Sequence, residues 1–310
     1  MPSKVTEHHL GREVHHQFWD RDLAPELVVP PGAEVGLSLR DGSDGQITPA
    51  TTAEDMRGLD FTRMDPLTGP IFVEGARPGD AVSVEMLDIA PAAWGWSGIL
   101  PGLGLLADHF PGPLLKIWDL RPGYVEIGPG ARFAQQPMLG VIGVAPPLPG
   151  RYPSVVPTRA GGNIDVKYTR RGSRLLLPVF TEGALLSLGD PHALQGDGEL
   201  SGTAIECQAD VVVRVEVIPD AGLQAPVVET TEMADDPPER YRSFLGVGPD
   251  LWEAAREASL RAVDAVSGSL RIDPAEAYAL LGTFAELRIH EIVDRPNWVV
   301  GCMVPLRILA

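Results

Sequence analysis

The sequence predicts a mainly β fold with a sandwich- or barrel-like core, followed by an α+β section at its C-terminal end. Three observations carry this expectation. The 310 residues include 34 glycines and 30 prolines scattered along the chain rather than clustered, a composition that suits short strands joined by turns and breaks long helices. Apolar and polar residues alternate with period two in several stretches, which is the mark of a half-buried strand. A helical period of 3.6 shows only late in the chain.

In chain order, Val35-Gly36-Leu37-Ser38-Leu39 reads as a strand and Asp41-Gly42-Ser43-Asp44-Gly45-Gln46 as the polar loop after it. Asp65 to Ala76 reads as turn, strand and turn. After the turn Arg77-Pro78-Gly79-Asp80, the stretch Ala81 to Asp88 puts Val82, Val84 and Met86 on one face and Ser83 and Glu85 on the other. Val213, Val215 and Val217 alternate with Arg214 and Glu216 in the same way. The continuous apolar runs Leu175 to Phe180 and Trp298 to Leu306 predict strands buried on both faces. From Pro249 to Val266 the residues Leu251, Ala254, Ala255, Ala258, Ala262, Val263 and Val266 form one stripe of a helix. A second helix opens at Asp273, with Pro274 at its first position and Glu276 completing a capping box, and stops near Gly282. A strand from Phe284 to Val293 follows. The turn-rich stretch Leu148 to Pro153 is the expected boundary between a β-rich N-terminal domain, 1–148, and a second unit, 149–310, that carries a β core and the α+β section.

Composition narrows the function. With 25 Lys and Arg against 42 Asp and Glu, the net charge of −17 repels nucleic acid and anionic membranes and favours neutral or cationic substrates. Lys167, Arg170, Arg171 and Arg174 are the one basic patch, read as a solvated hairpin end. No apolar run is long enough to span a bilayer, and the start of the chain, with Glu7, His8, His9, Arg12, His15 and His16, has no apolar leader stretch. The expectation is a cytoplasmic protein. Cys207 and Cys302 stand far apart and read as buried free thiols.

The chemistry concentrates in Gly189 to Glu206, where Asp190, His192, Asp197, Glu199 and Glu206 alternate with glycines. Residues two apart in extended backbone point to one side, so Asp190 with His192, and Asp197 with Glu199, are expected to face a common pocket. Carboxylate and imidazole together suit a divalent metal, zinc or calcium, and Asp44, Asp190, His192 and Asp197 are the expected ligands, with Asp165 as a further candidate. Such a site polarises a water. Hydrolysis at a carbonyl carbon needs that activated water, a stabilised oxyanion and an acid for the departing group. Glu199 is the expected general base, Asp165 a second catalytic carboxylate, and Asn163 the group that binds the carbonyl oxygen, together with backbone amides of the glycine turns. Gly162, Gln195 and Trp96 complete the expected substrate contacts. Ser187 lacks a nucleophile elbow around it, and of the histidines only His192 sits among carboxylates, His290 being read as packing.

Several of these pieces occur together and in order: Asp65 to Asp80 with its Asp-Pro-x-Thr-Gly-Pro-Ile-x-Val-Glu-Gly-Ala-x-Pro-Gly-Asp wording, Trp94-Gly95-Trp96-Ser97-Gly98, Pro101-Gly102-Leu103-Gly104, Gly161-Gly162-Asn163-Ile164-Asp165, and Gly189 to Glu206. In these, and in Tyr278 to Leu281 and Leu287 to Ile289, the chain resembles the acetamidase/formamidase family from about Pro30 to its end. The resemblance implies a soluble, β-rich homo-oligomer, dimer or higher, that hydrolyses small linear amides to ammonia and a carboxylate, with a metal ion in the acidic pocket. Where the family commonly has Asn-Pro-Ala-Thr-Gly-Pro, this chain has Asp65-Pro66-Leu67-Thr68-Gly69-Pro70, an acid in place of an amide. Two alternatives stand beside this reading: a hydrolase of another C–N compound, urea- or guanidine-like, with Trp94 and Trp96 as a cation–π face, and a non-catalytic binding module braced by a metal.

Overall fold

The computed structural model of the chain describes residues 6–128, 130–234 and 238–309. Its centre is one 15-stranded, mostly antiparallel sheet. The long strand Ala81–Ile99 runs beside Glu206–Ile218, in register from Ala81 opposite Ile218 to Trp96 opposite Glu206, with irregularities at Cys207/Ala209 and Val212/Val213. Ala81–Ile99 pairs on its other edge with Arg174–Pro178 and, at its far end, with Leu114–Asp119. Ala33–Leu39 lies against the outer edge of Glu206–Ile218. On the other flank Leu186–His192 sits between Met138–Gly143 and Leu67–Val73. Gly161–Asn163 closes that edge.

The period-two pattern explains why these strands stay in place. Val211, Val213 and Val215 are buried while Glu216 is exposed and Arg214 reaches out to Glu34 and Glu85. A one-residue slip would turn the valines to water, at roughly 1.5–3 kcal/mol for each fully exposed side chain. Ser83 is buried as well, so Ala81–Ile99 begins covered on both faces, not half-buried as its alternation predicts.

The C-terminal section packs Tyr241–Gly248, Trp298–Pro305 and Glu286–Glu291 in that order at one end of the sheet, under two helices. Helix α1, Leu251–Leu270, begins where the Asp250 carboxylate accepts the Glu253 amide, and buries Ala254, Ala258, Ala262, Val263 and Val266. These small residues let its axis approach the sheet, where Cys302 and Val304 meet them. Helix α2, Pro274–Phe284, is capped by Asp273 through Ala275 and carries Gly282 inside rather than at its end. No described helix is long and apolar enough to cross a membrane.

The expected boundary near Leu148 falls in an exposed loop, but the strands on its two sides interleave. Met138–Gly143 lies between Gly161–Asn163 and Leu186–His192, and Ala81–Ile99 lies between Glu206–Ile218 and Arg174–Pro178. One hydrophobic core takes Leu37, Ile71, Val84 and Leu139 from one side of the boundary and Leu175, Leu188 and Val213 from the other. The basic patch is also spoken for: Lys167 pairs with Asp197 and Arg174 with Glu229.

Candidate active site

Strand ends and loops from six parts of the chain converge beside the sheet. Leu186–His192 supplies Asp190 and His192, the first residue of Glu206–Ile218 supplies Glu206 directly across from His192, and the backbone after Gly161–Asn163 supplies Asp165. The turn before Leu67–Val73 supplies Asp65, the loop after Leu186–His192 supplies Glu199, and the loop before Trp298–Pro305 supplies Asp294. Four of these carboxylate residues hold a left-handed backbone: Asp65 (φ 49°), Asp165 (φ 44°), Asp190 (φ 51°) and Glu199 (φ 43°). That conformation is strained for residues other than glycine and concentrates at functional sites. Gly42 and Gly140 let them close in. A Cβ on Gly140 would stand 2.5 Å from Asp190 Oδ2 and 2.6 Å from Asp165 Oδ1, and one on Gly42 would stand 2.7 Å from Asp190 Oδ1.

The histidine orients the centre. Gln195 donates its Nε2 to the Asp165 carbonyl at 2.7 Å, which turns its Oε1 toward His192 Nδ1, also at 2.7 Å. Nδ1 therefore carries the hydrogen and donates it, leaving the Nε2 lone pair pointing inward. That Nε2 lies 2.9 Å from Asp190 Oδ2 and 3.0 Å from Glu206 Oε2 without hydrogen-bond alignment to either. Both Asp165 oxygens, Asp190 Oδ1 and Glu206 Oε2 are likewise buried with no hydrogen-bond partner.

Electrostatics tells the same story. Burial, and after it the charge of neighbouring carboxylates, pushes Asp65, Glu199 and Asp294 well above the usual carboxylate range. Burial lifts Asp165 to about 6 and Glu206 to about 8, against the opposing pull of His192. Asp190 is buried too, but the facing imidazole overrides this and holds it below its ordinary value. Burial works against a charge on His192, while Asp190 and Glu206 outweigh it and favour a positive charge there. The cluster thus calls for a cation among its oxygens, whether a proton or a metal. A histidine whose outer nitrogen is held by a hydrogen bond, with orphaned carboxylate oxygens around the inner one, is the donor set of a divalent-ion site. Asp165, Asp190 and His192, then His192, Glu199 and Glu206, and finally Asp165, Glu199 and Asp294 each offer ligand atoms within 4.8 Å of one another.

The sequence expectations are met unevenly. Asp165, Asp190, His192 and Glu199 come together, and Asn163 and Trp96 line the same cavity. Asp44 and Asp197, expected as metal ligands, stand apart from the cluster. The Asp44 carboxylate takes Arg40 at 2.6 Å and Arg63 at 2.7 Å, so guanidinium groups occupy it. Asp197 pairs with Lys167 at 2.7 Å and faces Arg288 and His290, because the chain turns at Gly198 instead of staying extended and sends Asp197 and Glu199 opposite ways. Gly162 lies behind the cavity near Trp19, and Gln195 acts on His192 rather than lining the cavity. Asn163 gives its Nδ2 to Asp294 at 2.8 Å, which leaves its Oδ1 as the free atom; that is an acceptor, not the donor a carbonyl oxygen needs. His290 is more than packing: its Nε2 lies 3.1 Å from Ser243 Oγ and its Nδ1 3.6 Å from Asp197. Asp294 carries no sequence signal as a site residue, Asp65 shows only as the acid that stands where the family commonly has an amide, and Glu206 only as part of a motif. Burial pushes the Cys207 thiol far up, and it bonds the Pro191 carbonyl, so it is no nucleophile.

Comparison with known proteins follows the same line. The chain is 30% identical to a formamidase of Methylophilus methylotrophus, over 94% of this chain and 89% of that one. It is 30% identical to an acetamidase of Mycolicibacterium smegmatis, over 86% and 85%. Its structure superposes on that of an acetamidase from Bacillus halodurans with a TM-score of 0.88 at 31% identity, over 96% of this chain and 97% of that one. The model of the Acetamidase/Formamidase family matches residues 3–149 and 152–310. The acidic cavity at the sheet's edge therefore sits on a scaffold shared along the whole chain, which belongs to the acetamidase/formamidase family.

Proposed function

We propose that this cavity hydrolyses small linear amides to ammonia and a carboxylate, with Glu199 as the proton-transfer group and the Asp190/His192/Glu206 cluster as the seat of a divalent ion. As a member of the family the chain is a hydrolase of linear amide C–N bonds. The observation that carries the proposed site is the convergence of His192 Nε2 with oxygens of Asp190 and Glu206, in which His192 Nε2, Glu206 Oε2 and Asp190 Oδ1 are buried without hydrogen-bond partners.

Asp165, Asp190, His192 and Glu206 would hold the ion, and one imidazole among carboxylates suits zinc, calcium or manganese. When bound, such an ion supplies Lewis acidity that makes water a nucleophile near neutral pH. The chain's own groups do the rest. Glu199, buried at the cavity wall and made more basic by its surroundings, takes a proton from the attacking water. The water oxygen bonds to the carbonyl carbon, Glu199 returns the proton to nitrogen, and the C–N bond breaks to release ammonia. Asn163 Oδ1 accepts from the substrate's NH2 group and orients it, a contact that distinguishes an amide from an ester or acid. Gln195 locks the His192 ring by its two hydrogen bonds. A homo-oligomer belongs to the same proposal, supported by Trp252 and Tyr278, which stand 72% and 68% exposed on the helical layer.

Ammonia release from acetamide by the purified protein, before and after chelation and metal restoration, tests this reading. Glu199→Gln should lower kcat by at least about 100-fold while bound metal, measured by elemental analysis, stays near the wild-type level. A near-wild-type rate would remove Glu199 from the mechanism.

A further inference from the structure

The proposed amide site occupies only the floor of a cavity of about 520 Å³. Acetamide has four heavy atoms, and at no more than about 30 Å³ each, the share of one water in the liquid, it fills roughly 120 Å³ or less. Most of the cavity lies beyond it. The floor is polar, with the buried Asp65, Asn163, Asp190, Glu199 and Glu206, whereas the wall is largely apolar, with Phe61, Leu100, Leu103, Leu105, Leu251 and Trp298, and one exposed cation, Arg295, at the rim. Phe61 and Leu105 are 50% and 49% exposed there, apolar surface left facing the cavity mouth and solvent. A cavity of this size, mostly apolar with its buried polar groups gathered at one end, is built for a ligand with a polar head and an apolar body.

Resting on the amidohydrolase reading above, we propose that the chain's preferred substrates are primary amides with an apolar acyl group well beyond acetyl, an aliphatic chain of about four to eight carbons or a single aromatic ring. The carboxamide enters first and meets Asn163 and Glu199. The acyl group lies back along Leu100, Leu103 and Leu105 toward Phe61. Water adds to the carbonyl carbon, the C–N bond breaks with transfer of the water's proton to nitrogen, and the products are ammonia and the longer carboxylate. Each methylene that leaves water for the wall raises kcat/KM by about fourfold when its contact is kept in the transition state.

The test is ammonia release by the metal-loaded wild-type protein from formamide, acetamide, butyramide, hexanamide and benzamide, compared as kcat/KM. The expected result is a rise of at least about tenfold from acetamide to hexanamide. Turnover of formamide and acetamide that falls off with larger acyl groups overturns the proposal and leaves the amidohydrolase reading standing. Ammonia from none of the five overturns both. Leu105→Trp, at a half-exposed position that tolerates a larger side chain, should cut the hexanamide-to-acetamide ratio by about tenfold by filling the wall. An unchanged ratio in Leu105→Trp and also in Phe61→Ala, which strips the mouth instead, places the acyl group elsewhere and sinks the idea.

Discussion

At the scale of the residue, the acidic centre depends on one missing side chain. Gly140 faces Asp165, Asp190 and the His192 ring at distances that no Cβ can share: 2.5 and 2.6 Å to the two carboxylate oxygens and 3.0 Å to His192 Cε1. Gly140→Ala must displace groups whose backbones are already held at left-handed φ, and a shift of an ångström in such a centre costs on the order of 100-fold in rate. Kinetics on acetamide and hexanamide, with far-UV circular dichroism to show the fold retained, should find that loss in both substrates. A second residue carries a pH signature away from the centre. His16 is held between the Phe18 carbonyl and Ser187 Oγ, and burial, opposed by the Phe18 bond, lowers it from 6.5 to about 4. Between those values the unfolded chain binds the proton and the folded one does not, so this contribution is full above about 6.5 and is lost as the pH falls to about 4. The melting-temperature difference between wild type and His16→Gln should therefore shrink on acidification through that window; a constant difference would show that His16 stays charged in the fold. Legibility at this scale followed local spacing. Asp190 and His192 were found because they are two apart on one strand. Asp294 gives no such signal and Asp65 only its departure from the family's amide, since pairings far apart in sequence bring them to the same cavity. Asp44 misled for the same reason: nothing in its loop announces that Arg63 will cover it.

At the scale of the element, the helix that borders the cavity mouth is fixed at its N-terminus by a single side chain. Asp250 Oδ1 accepts the Glu253 amide at 2.9 Å, and the next residue, Leu251, lines the cavity. Asp250→Ala leaves that amide unpaired and removes a negative charge from the positive end of the helix dipole, a loss of about 1 kcal/mol. Urea unfolding should show the drop as a lower midpoint with an unchanged slope. The alanine stripe of this helix was readable because period 3.6 needs no long-range information. Its last turn was not: Ser267-Gly268-Ser269 breaks the apolar pattern, and the helix continues to Leu270 because Ser267 meets the returning backbone at Ile272. The strands were likewise found by alternation but cut short. Ala81–Ile99 runs past the predicted Asp88 because partners on both sides keep pairing with it after its own alternation has faded.

At the scale of the whole molecule, composition and turn signals point to a division near Leu148, but the path of the chain runs against it. A loop rich in proline and glycine looks the same between two domains and between two strands of one sheet, and only strand order distinguishes them. Here Met138–Gly143 is enclosed by strands that come after the loop, and Ala81–Ile99 has later strands on both edges. Neither half can satisfy the backbone groups of these strands alone, and each would leave its share of the common core in water. The active cluster divides in the same way, since Asp65 lies before the loop while Asp165, Asp190, His192, Glu199, Glu206 and Asp294 lie after it. Two independent domains would melt in separate steps and fold when expressed apart. An interleaved sheet should instead unfold as one unit, so far-UV circular dichroism, which follows the strands, and tryptophan fluorescence should give coincident thermal curves. Residues 1–148 expressed alone should show no cooperative transition. A folded 1–148 fragment, or two resolved transitions in the intact chain, would restore the two-domain division and require the sheet to form by docking of finished halves.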